Sequence, residues 1–220
     1  MDKAIKNVLI FGDSYSTFEG YIPEGYATYY APVNIKPTDV CRVEETWWKS
    51  FIDKIGGNLV LNNSWSGSTI GYTGYGNSDC SQSSSFIYRF RKLLKEGFFK
   101  DNAVDTVIVF GGTNDSWSDA PLGGMKFSDW QEGDLFSVLP AICYLAYGLK
   151  QELPNANVIF LVNTEIKEEI RTALREAAEH YGAQAVMLQD IDKAGGHPTV
   201  NGMASICEQL LRSVILENNQ

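Results

Sequence analysis

This 220-residue chain has only two histidines, and one of them stands where it can serve as a base. His180 closes a charged stretch, 165–182, where partial positive charge suits a helix C-terminus and a surface position is expected. His197 lies in the loop "DKAGGHPTVNG", between Gly196 and Pro198. A base needs a group to deprotonate, and "NVLIFGDSYSTFEG" (7–20) offers one: four apolar residues run straight into Gly12, Asp13 and Ser14. A serine hydroxyl is a poor nucleophile until a base within hydrogen-bond reach takes its proton. The resulting tetrahedral intermediate needs donors aimed at its oxyanion. Gly67, in "NNSWSGSTIGYTG", offers a backbone N–H with no side chain in the way. Asn114, in "GGTNDSW", offers its side-chain NH₂, and Ser14 offers its own N–H near a helix start. This set needs no metal and no cofactor. Asp13, Asp115 and Asn63 are read as structural, short polar side chains that bond backbone groups in turns and cap the next segment.

The elements that must position these residues are legible as hydrophobic patterns. Five short apolar runs, 8–11, 59–61, 107–110, 158–162 and 185–188, are continuous rather than alternating, as in strands of a parallel sheet covered on both faces. Helical periodicity lies between them. The stretch 46–55 puts Trp47, Phe51 and Ile55 on one face, and 84–94 does the same with Phe86, Ile87, Phe90, Leu93 and Leu94. A long apolar helix is expected over 135–153, with Pro140 marking a bend or a late start. The charged helix over 165–182 would end at Gly182. A final helix, started by Pro198, carries Met203, Ile206, Cys207, Leu210, Leu211, Val214 and Ile215. Strands alternating with helices predict an α/β fold, and the absence of repeats and linkers predicts one domain over 1–220. In such a sheet ligands bind beyond the carboxyl ends of the strands. Ser14, Gly67, Asn114 and His197 all come after strands, so they are delivered to one edge. Two long connections, 15–45 and 115–133, are rich in aromatic residues, among them Tyr15, Phe18, Tyr21, Tyr26, Tyr29, Tyr30, Trp117, Phe127 and Trp130. They either line a cleft that stacks on sugars or roof the core.

"FGDSYS", then Gly67 in "NNSWSGST", then "GGTND", then "GHP" resembles the SGNH hydrolases, the GDSL esterase/lipase family. Its name lists Ser, Gly, Asn and His in chain order, here Ser14, Gly67, Asn114 and His197. The resemblance implies a flavodoxin-like three-layer α/β/α sandwich with a five-stranded parallel sheet. It also implies a serine esterase acting on esters, lipids or acetylated carbohydrates, with Ser14 as nucleophile, His197 as base and Gly67 and Asn114 in the oxyanion hole. The family's last block usually reads D-x-x-H, but Ala194 stands three residues before His197. The orienting group is then Asp192 brought round by Gly195 and Gly196, another acid, or a backbone carbonyl. The G-x-S-x-G pentapeptide of α/β-hydrolases is absent. An activity of this kind would show an acidic limb near the ~6.5 reference value for histidine.

A second class of reading is a non-catalytic flavodoxin-like module binding flavin, phosphate or acylated sugars, with "SWSGSTIGYTG" as a hydroxyl-rich anion cradle. Its place after the second strand, rather than the first, counts against that. With a net charge of −9 and no basic cluster longer than "RFRK" (89–92), the chain lacks the basic face that nucleic-acid binding needs. After "MDKAIK" the first apolar run is too short for a membrane span or a signal peptide h-region, so a cytoplasmic protein acting on a small-molecule ester or acylated carbohydrate is expected. Cys41, Cys80, Cys143 and Cys207 form no C-x-x-C pair and are read as buried free thiols.

Overall fold

The computed structural model describes residues 6–33 and 36–217. Its centre is a parallel sheet of five strands: β1 (Asn7–Gly12), β2 (Asn58–Ser64), β3 (Thr106–Phe110), β4 (Asn157–Val162) and β5 (Gln184–Met187). They lie in the order β2-β1-β3-β4-β5. Each matches an apolar run of the sequence to within a residue or two at most ends. The continuity of those runs comes from side chains that alternate across the pleat into two cores. From β1, Leu9 and Phe11 enter one core and Val8 and Ile10 the other.

Helices α2 (Phe86–Lys95), α5 (Val138–Glu152) and α6 (Glu168–His180) cover the first face, and α1 (Trp47–Lys54) and α7 (Val200–Glu217) cover the second. Two short helices, α3 (Phe98–Asp101) and α4 (Thr113–Trp117), complete the set, and α4 makes helical the start of a segment expected to be loop. Local chemistry sets the ends. Thr46 Oγ1 and Ser85 Oγ accept from Lys49 N and Tyr88 N at the starts of α1 and α2. Pro140 sits in the first turn of α5, so the proline marks a late start and not a bend. At the end of α6, Ala183 N–H bonds Ala178 O and Gly182 N–H bonds Glu179 O, a Schellman closure at the expected glycine.

Three expectations need correction. Leu94 is 36% exposed and lies off the buried stripe of α2. Pro198 does not start α7. It is drawn into a short strand, and Thr199 caps the helix by accepting from Gly202 N. Cys143 and Cys207 are buried, but Cys41 and Cys80 are only half-buried; all four are free thiols. The side chain of Ile215 lies outside the described residues. Among the described residues no helix is long and apolar enough to cross a membrane.

The strand order places the topological switch between β1 and β3, because the chain leaves β1 in one direction to β2 and returns on the other side to β3. Gly12, at the end of β1, pairs with Ser64 of β2 and Phe110 of β3. The chemistry is built on that residue and its neighbours.

Candidate active site

Close approach forces the glycine that ends β1: a β-carbon on Gly12 would lie 2.4 Å from Ser64 Oγ and 2.5 Å from Ser16. The chain then turns through a single 3₁₀ turn, Ser14–Ser16, with Asp13 as its cap. Asp13 donates its N–H to Phe110 O at 3.3 Å and accepts Tyr15 N–H on its carboxylate at 3.0 Å. Asp13 is therefore structural, as its type and position suggested. Ser14, 3% exposed, is held at the switch point by these bonds.

His197 reaches it from a two-strand hairpin, β6 (Lys193–Ala194) and β7 (His197–Pro198), in which Ala194 and His197 are directly opposed. The two residues between them, Gly195 and Gly196, have φ of +56° and +78°. Left-handed conformation at both central positions is what a two-residue type I′ hairpin requires. These glycines therefore make a tight turn rather than a wide loop. His197 Nε2 lies 2.9 Å from Ser14 Oγ, and Nδ1 lies 3.2 Å from Gly195 O. A carbonyl only accepts, so Nδ1 carries the proton and Nε2 offers its lone pair to the serine hydroxyl. Asp192 is engaged elsewhere: its carboxylate accepts Thr199 Oγ1. Of the three orienting groups the sequence left open, the backbone carbonyl is the one at Nδ1.

Aromatic residues enclose this pair. Tyr29 lies flat on the imidazole at 3.6 Å between ring centres and 6° between planes. Tyr15 and Trp117 approach it at 5.3 and 5.8 Å. Tyr15 OH donates to Gly196 O and Tyr30 OH to Pro198 O, so both flanks of His197 are anchored. Burial pushes the His197 pKa down to about 4, against the Gly195 carbonyl and helped by Lys36 and Lys193. An acidic limb set by this group is therefore expected below the ordinary histidine value.

Gly67 occupies the third position of the turn Trp65–Ser68, closed by Ser68 N to Trp65 O at 3.2 Å, with φ +82° as a type II turn demands. Its N–H has no partner among the described residues. Asn114 sits in the first turn of α4, 3% exposed. Its Nδ2 donates to Ser68 O at 3.0 Å, and its Oδ1 accepts Tyr75 OH at 2.9 Å. Those partners fix which end of the amide is which and leave one N–H for another acceptor. The neighbouring Asp115 accepts Ile70 N–H and Gly71 N–H, as a turn-binding acid should. It thereby fills the proposed anion cradle with the protein's own carboxylate, which removes the basis of the phosphate reading. Asn63 departs from its expected role: it lies within β2, and its side-chain amide has no partner among the described residues.

Sequence reasoning missed Arg89. It stands in the basic run "RFRK", yet it is wholly buried beneath the site. Its Nη1 donates to Asn63 O, and its Nη2 to Gly12 O at 3.2 Å and Ser68 Oγ at 3.0 Å. The signal was present: position 89 falls on the apolar stripe of Phe86, Phe90 and Leu93, where a charge is out of place.

The aromatic connections divide. From 15–45, Tyr15, Phe18 and Tyr30 are buried and roof the core, while Tyr29 covers His197 and Tyr26 packs at a tilt against Trp65, 4.3 Å between ring centres. From 115–133, Trp117 reaches the site, but Phe127 and Trp130 pack on His180 and on Tyr144 and Tyr147. His180 itself is exposed, as expected.

The family model for GDSL-like lipase/acylhydrolase matches residues 6–214. The chain belongs to that family. Among solved structures, a protein described as a GDSL-like lipase from Bacteroides uniformis ATCC 8492 is 45% identical, with a TM-score of 0.88 over 96% of this chain and 96% of that one. A second, from Bacteroides ovatus ATCC 8483, is 38% identical, with a TM-score of 0.88 over 96% and 99%. A family two carbohydrate esterase from Clostridium thermocellum, in complex with cellohexaose, shares the fold at 13% identity and a TM-score of 0.64, over 96% of this chain and 64% of that one. No curated protein matches. As a GDSL-like acylhydrolase the chain is a carboxylic ester hydrolase on the flavodoxin-like sandwich its motifs implied. The four residues carried over from the family pattern stand after β1, after β2, after β3 and in the hairpin that comes after β5.

Proposed function

We propose that this GDSL-like hydrolase cleaves short acyl esters on carbohydrate through an acyl-serine intermediate, using a Ser14–His197 dyad. The 2.9 Å contact between His197 Nε2 and Ser14 Oγ carries the reading. In acylation, Ser14 Oγ attacks the ester carbonyl while His197 Nε2 takes its proton, then returns it to the departing alcohol. Water repeats the sequence on the acyl-serine. The oxyanion is received by Gly67 N–H, by the remaining Asn114 Nδ2–H and by Ser14 N–H, all donors without a competing acceptor. Gly195 O stands where a carboxylate stands in a triad, holding the tautomer but adding no full negative charge beside the imidazolium. The rate on generic esters is expected to be modest for that reason.

The acylated-sugar preference rests on the half-buried and exposed aromatic faces around the dyad: Trp117 at 42% exposure, Tyr75 at 46%, and the Tyr26–Trp65 pair beside the Gly67 turn. Flat faces of this kind stack on pyranose rings and do not form the deep apolar channel a long acyl chain needs. The proposal includes a reducing, cytoplasmic setting, which four free thiols fit.

The test is hydrolysis of p-nitrophenyl acetate, butyrate and decanoate, and of acetylated xylo-oligosaccharides, by wild type and Ser14→Ala. Loss of about 10⁴-fold or more in the variant supports the nucleophile, and acetyl sugars preferred over decanoate support the substrate class. Equal activity in both proteins would remove Ser14 from the mechanism.

A further inference from the structure

In a Ser-His-acid triad the carboxylate does two separable jobs: it fixes the tautomer, and it fixes the plane of the imidazole. Gly195 O can do the first. A single bond of 3.2 Å to a carbonyl does the second poorly, because the ring can pivot about Cβ–Cγ while keeping a loose contact. The plane is held from another side. At 3.6 Å and 6° the Tyr29 ring is in van der Waals contact with the whole face of the imidazole. Any rotation of the imidazole about Cβ–Cγ drives one of its edges into that face. Tyr29 is itself braced: its N–H donates to Thr17 Oγ1 at 2.9 Å, and Tyr30 packs edge-on against it at 4.9 Å. Lys36 Nζ lies 4.2 Å from the centre of the Tyr29 ring.

We propose that Tyr29 is a positioning residue for the His197 base, taking over the restraint on ring plane that the family's missing acid would have supplied. The inference rests on the dyad reading above. Tyr29 neither gives nor takes a proton; it acts through His197, holding Nε2 on line with Ser14 Oγ. Its ring also keeps water off one face of the imidazole. The groups that face His197 are Ser14 from the nucleophile turn, Tyr15, Tyr29 and Lys36 from the long first connection, Trp117 from α4, and Lys193 of the hairpin, which pairs with Glu165. Both cations oppose a charge on the imidazole, and the described residues place no carboxylate against it.

The experiment compares Tyr29→Phe, which keeps the plate, with Tyr29→Ala, which removes it. Two readouts are taken: kcat and KM on p-nitrophenyl acetate, and the titration of His197 by NMR of histidine-labelled protein. With only two histidines in the chain, His180→Gln assigns the signals. For Tyr29→Ala, kcat is expected to fall by about 10–100-fold with KM within about threefold, the cost of a misaligned reacting pair. The His197 titration is expected to rise from about 4 toward the ~6.5 of a free imidazole. Tyr29→Phe should resemble wild type in both. Should Tyr29→Ala fold poorly, Tyr29→Leu carries the same kcat readout, since it keeps apolar cover without the flat plate. A raised KM at unchanged kcat, with an unmoved titration, would make Tyr29 a substrate contact and overturn the proposal. So would a Tyr29→Phe as impaired as Tyr29→Ala. Failure of the dyad reading is distinguishable: His197→Ala would then keep its activity, while the titration would still report the stack.

Discussion

Thr199 Oγ1 donates to the carboxylate of Asp192, and Thr199 N–H donates to the Asp192 carbonyl at 3.1 Å. The acid nearest to His197 in sequence is thus engaged in holding the start of α7. Asp192→Ala is expected to leave kcat/KM within about threefold of wild type, whereas loss of a true orienting acid costs about 10⁴-fold. The same variant should lose about 0.5–1.5 kcal/mol of stability by urea denaturation, the worth of an ordinary hydrogen bond. A large loss of kcat with unchanged stability would return Asp192 to the catalytic machinery.

The pH profile is set by the direction of the His197 shift. In the proposed mechanism His197 must be neutral to accept the Ser14 proton, and burial pushes its pKa down to about 4. The neutral form therefore persists to lower pH, and kcat/KM is expected to hold down to about pH 5, below the ~6.5 limb of an unperturbed histidine. Stability moves with the same group. Between about 6.5 and about 4 the unfolded chain binds a proton at this position that the folded chain refuses, so this contribution is lost as pH falls through that window. A kcat/KM limb at or above 6.5 would contradict the enclosure of the imidazole.

Asp13 and Asp115 act in the opposite sense. Burial raises them from 3.8 to about 7 and about 6, so the folded state holds protons that the unfolded state has released. Their contribution is present below about pH 4 and is lost as pH rises through about 6 to 7. Asp13→Asn cannot ionise and should therefore gain in melting temperature relative to wild type more at about pH 8 than at about pH 5. Paired thermal scans at the two pH values read this directly. An equal difference at both would mean the Asp13 carboxylate is not desolvated.

Tyr75 OH bonds the Asn114 amide through its oxygen end, which polarises the NH₂ and holds it in one flip state. Removing an oxyanion donor outright costs about 10²–10³-fold in kcat, the loss expected for Asn114→Ala. Tyr75→Phe keeps the donor but frees it to rotate, so a smaller loss of about 3–10-fold in kcat at nearly unchanged KM is expected. A rise in KM alone would make Tyr75 a wall of the binding cleft and nothing more.

Arg89→Ala takes a donor from the buried carbonyls of Gly12 and Asn63, leaving Gly12 O with Trp65 N–H alone, and removes the buried cation that favours the Asp13 carboxylate. Breaking a buried charged network in this way costs about 3–5 kcal/mol. The midpoint of urea unfolding should drop accordingly, and Arg89→Lys should rescue little of it, because an ammonium cannot span three acceptors in one plane.

The strands were legible because burial on both faces leaves a continuous apolar signature, and the site residues because a parallel sheet gathers at one edge the residues that come after its strands. Ser14, Gly67, Asn114 and His197 were singled out in that way, and His197 Nε2 does lie 2.9 Å from Ser14 Oγ. The partner of His197 was not, since a backbone carbonyl has no letter of its own and Asp192 is near in sequence without being near in function. Tyr29 and Tyr75 were hidden for a related reason. Their roles depend on where long connections fold back, and an aromatic side chain in a loop reads the same whether it roofs a core or stacks on a base. Arg89 was concealed by its company: Arg91 and Lys92 beside it face outward and made the whole run look like surface.

Arg89 also bears on how the enzyme loses its activity. One guanidinium joins Gly12 ahead of the Ser14 turn, the strand that leads to Gly67, and the turn containing Ser68. These three segments cannot breathe one at a time, because each opening would strand the same charge in an apolar interior. Amide exchange across them should proceed through a single opening event with a common free energy, and hydrolytic activity should vanish together with that event rather than fade ahead of it.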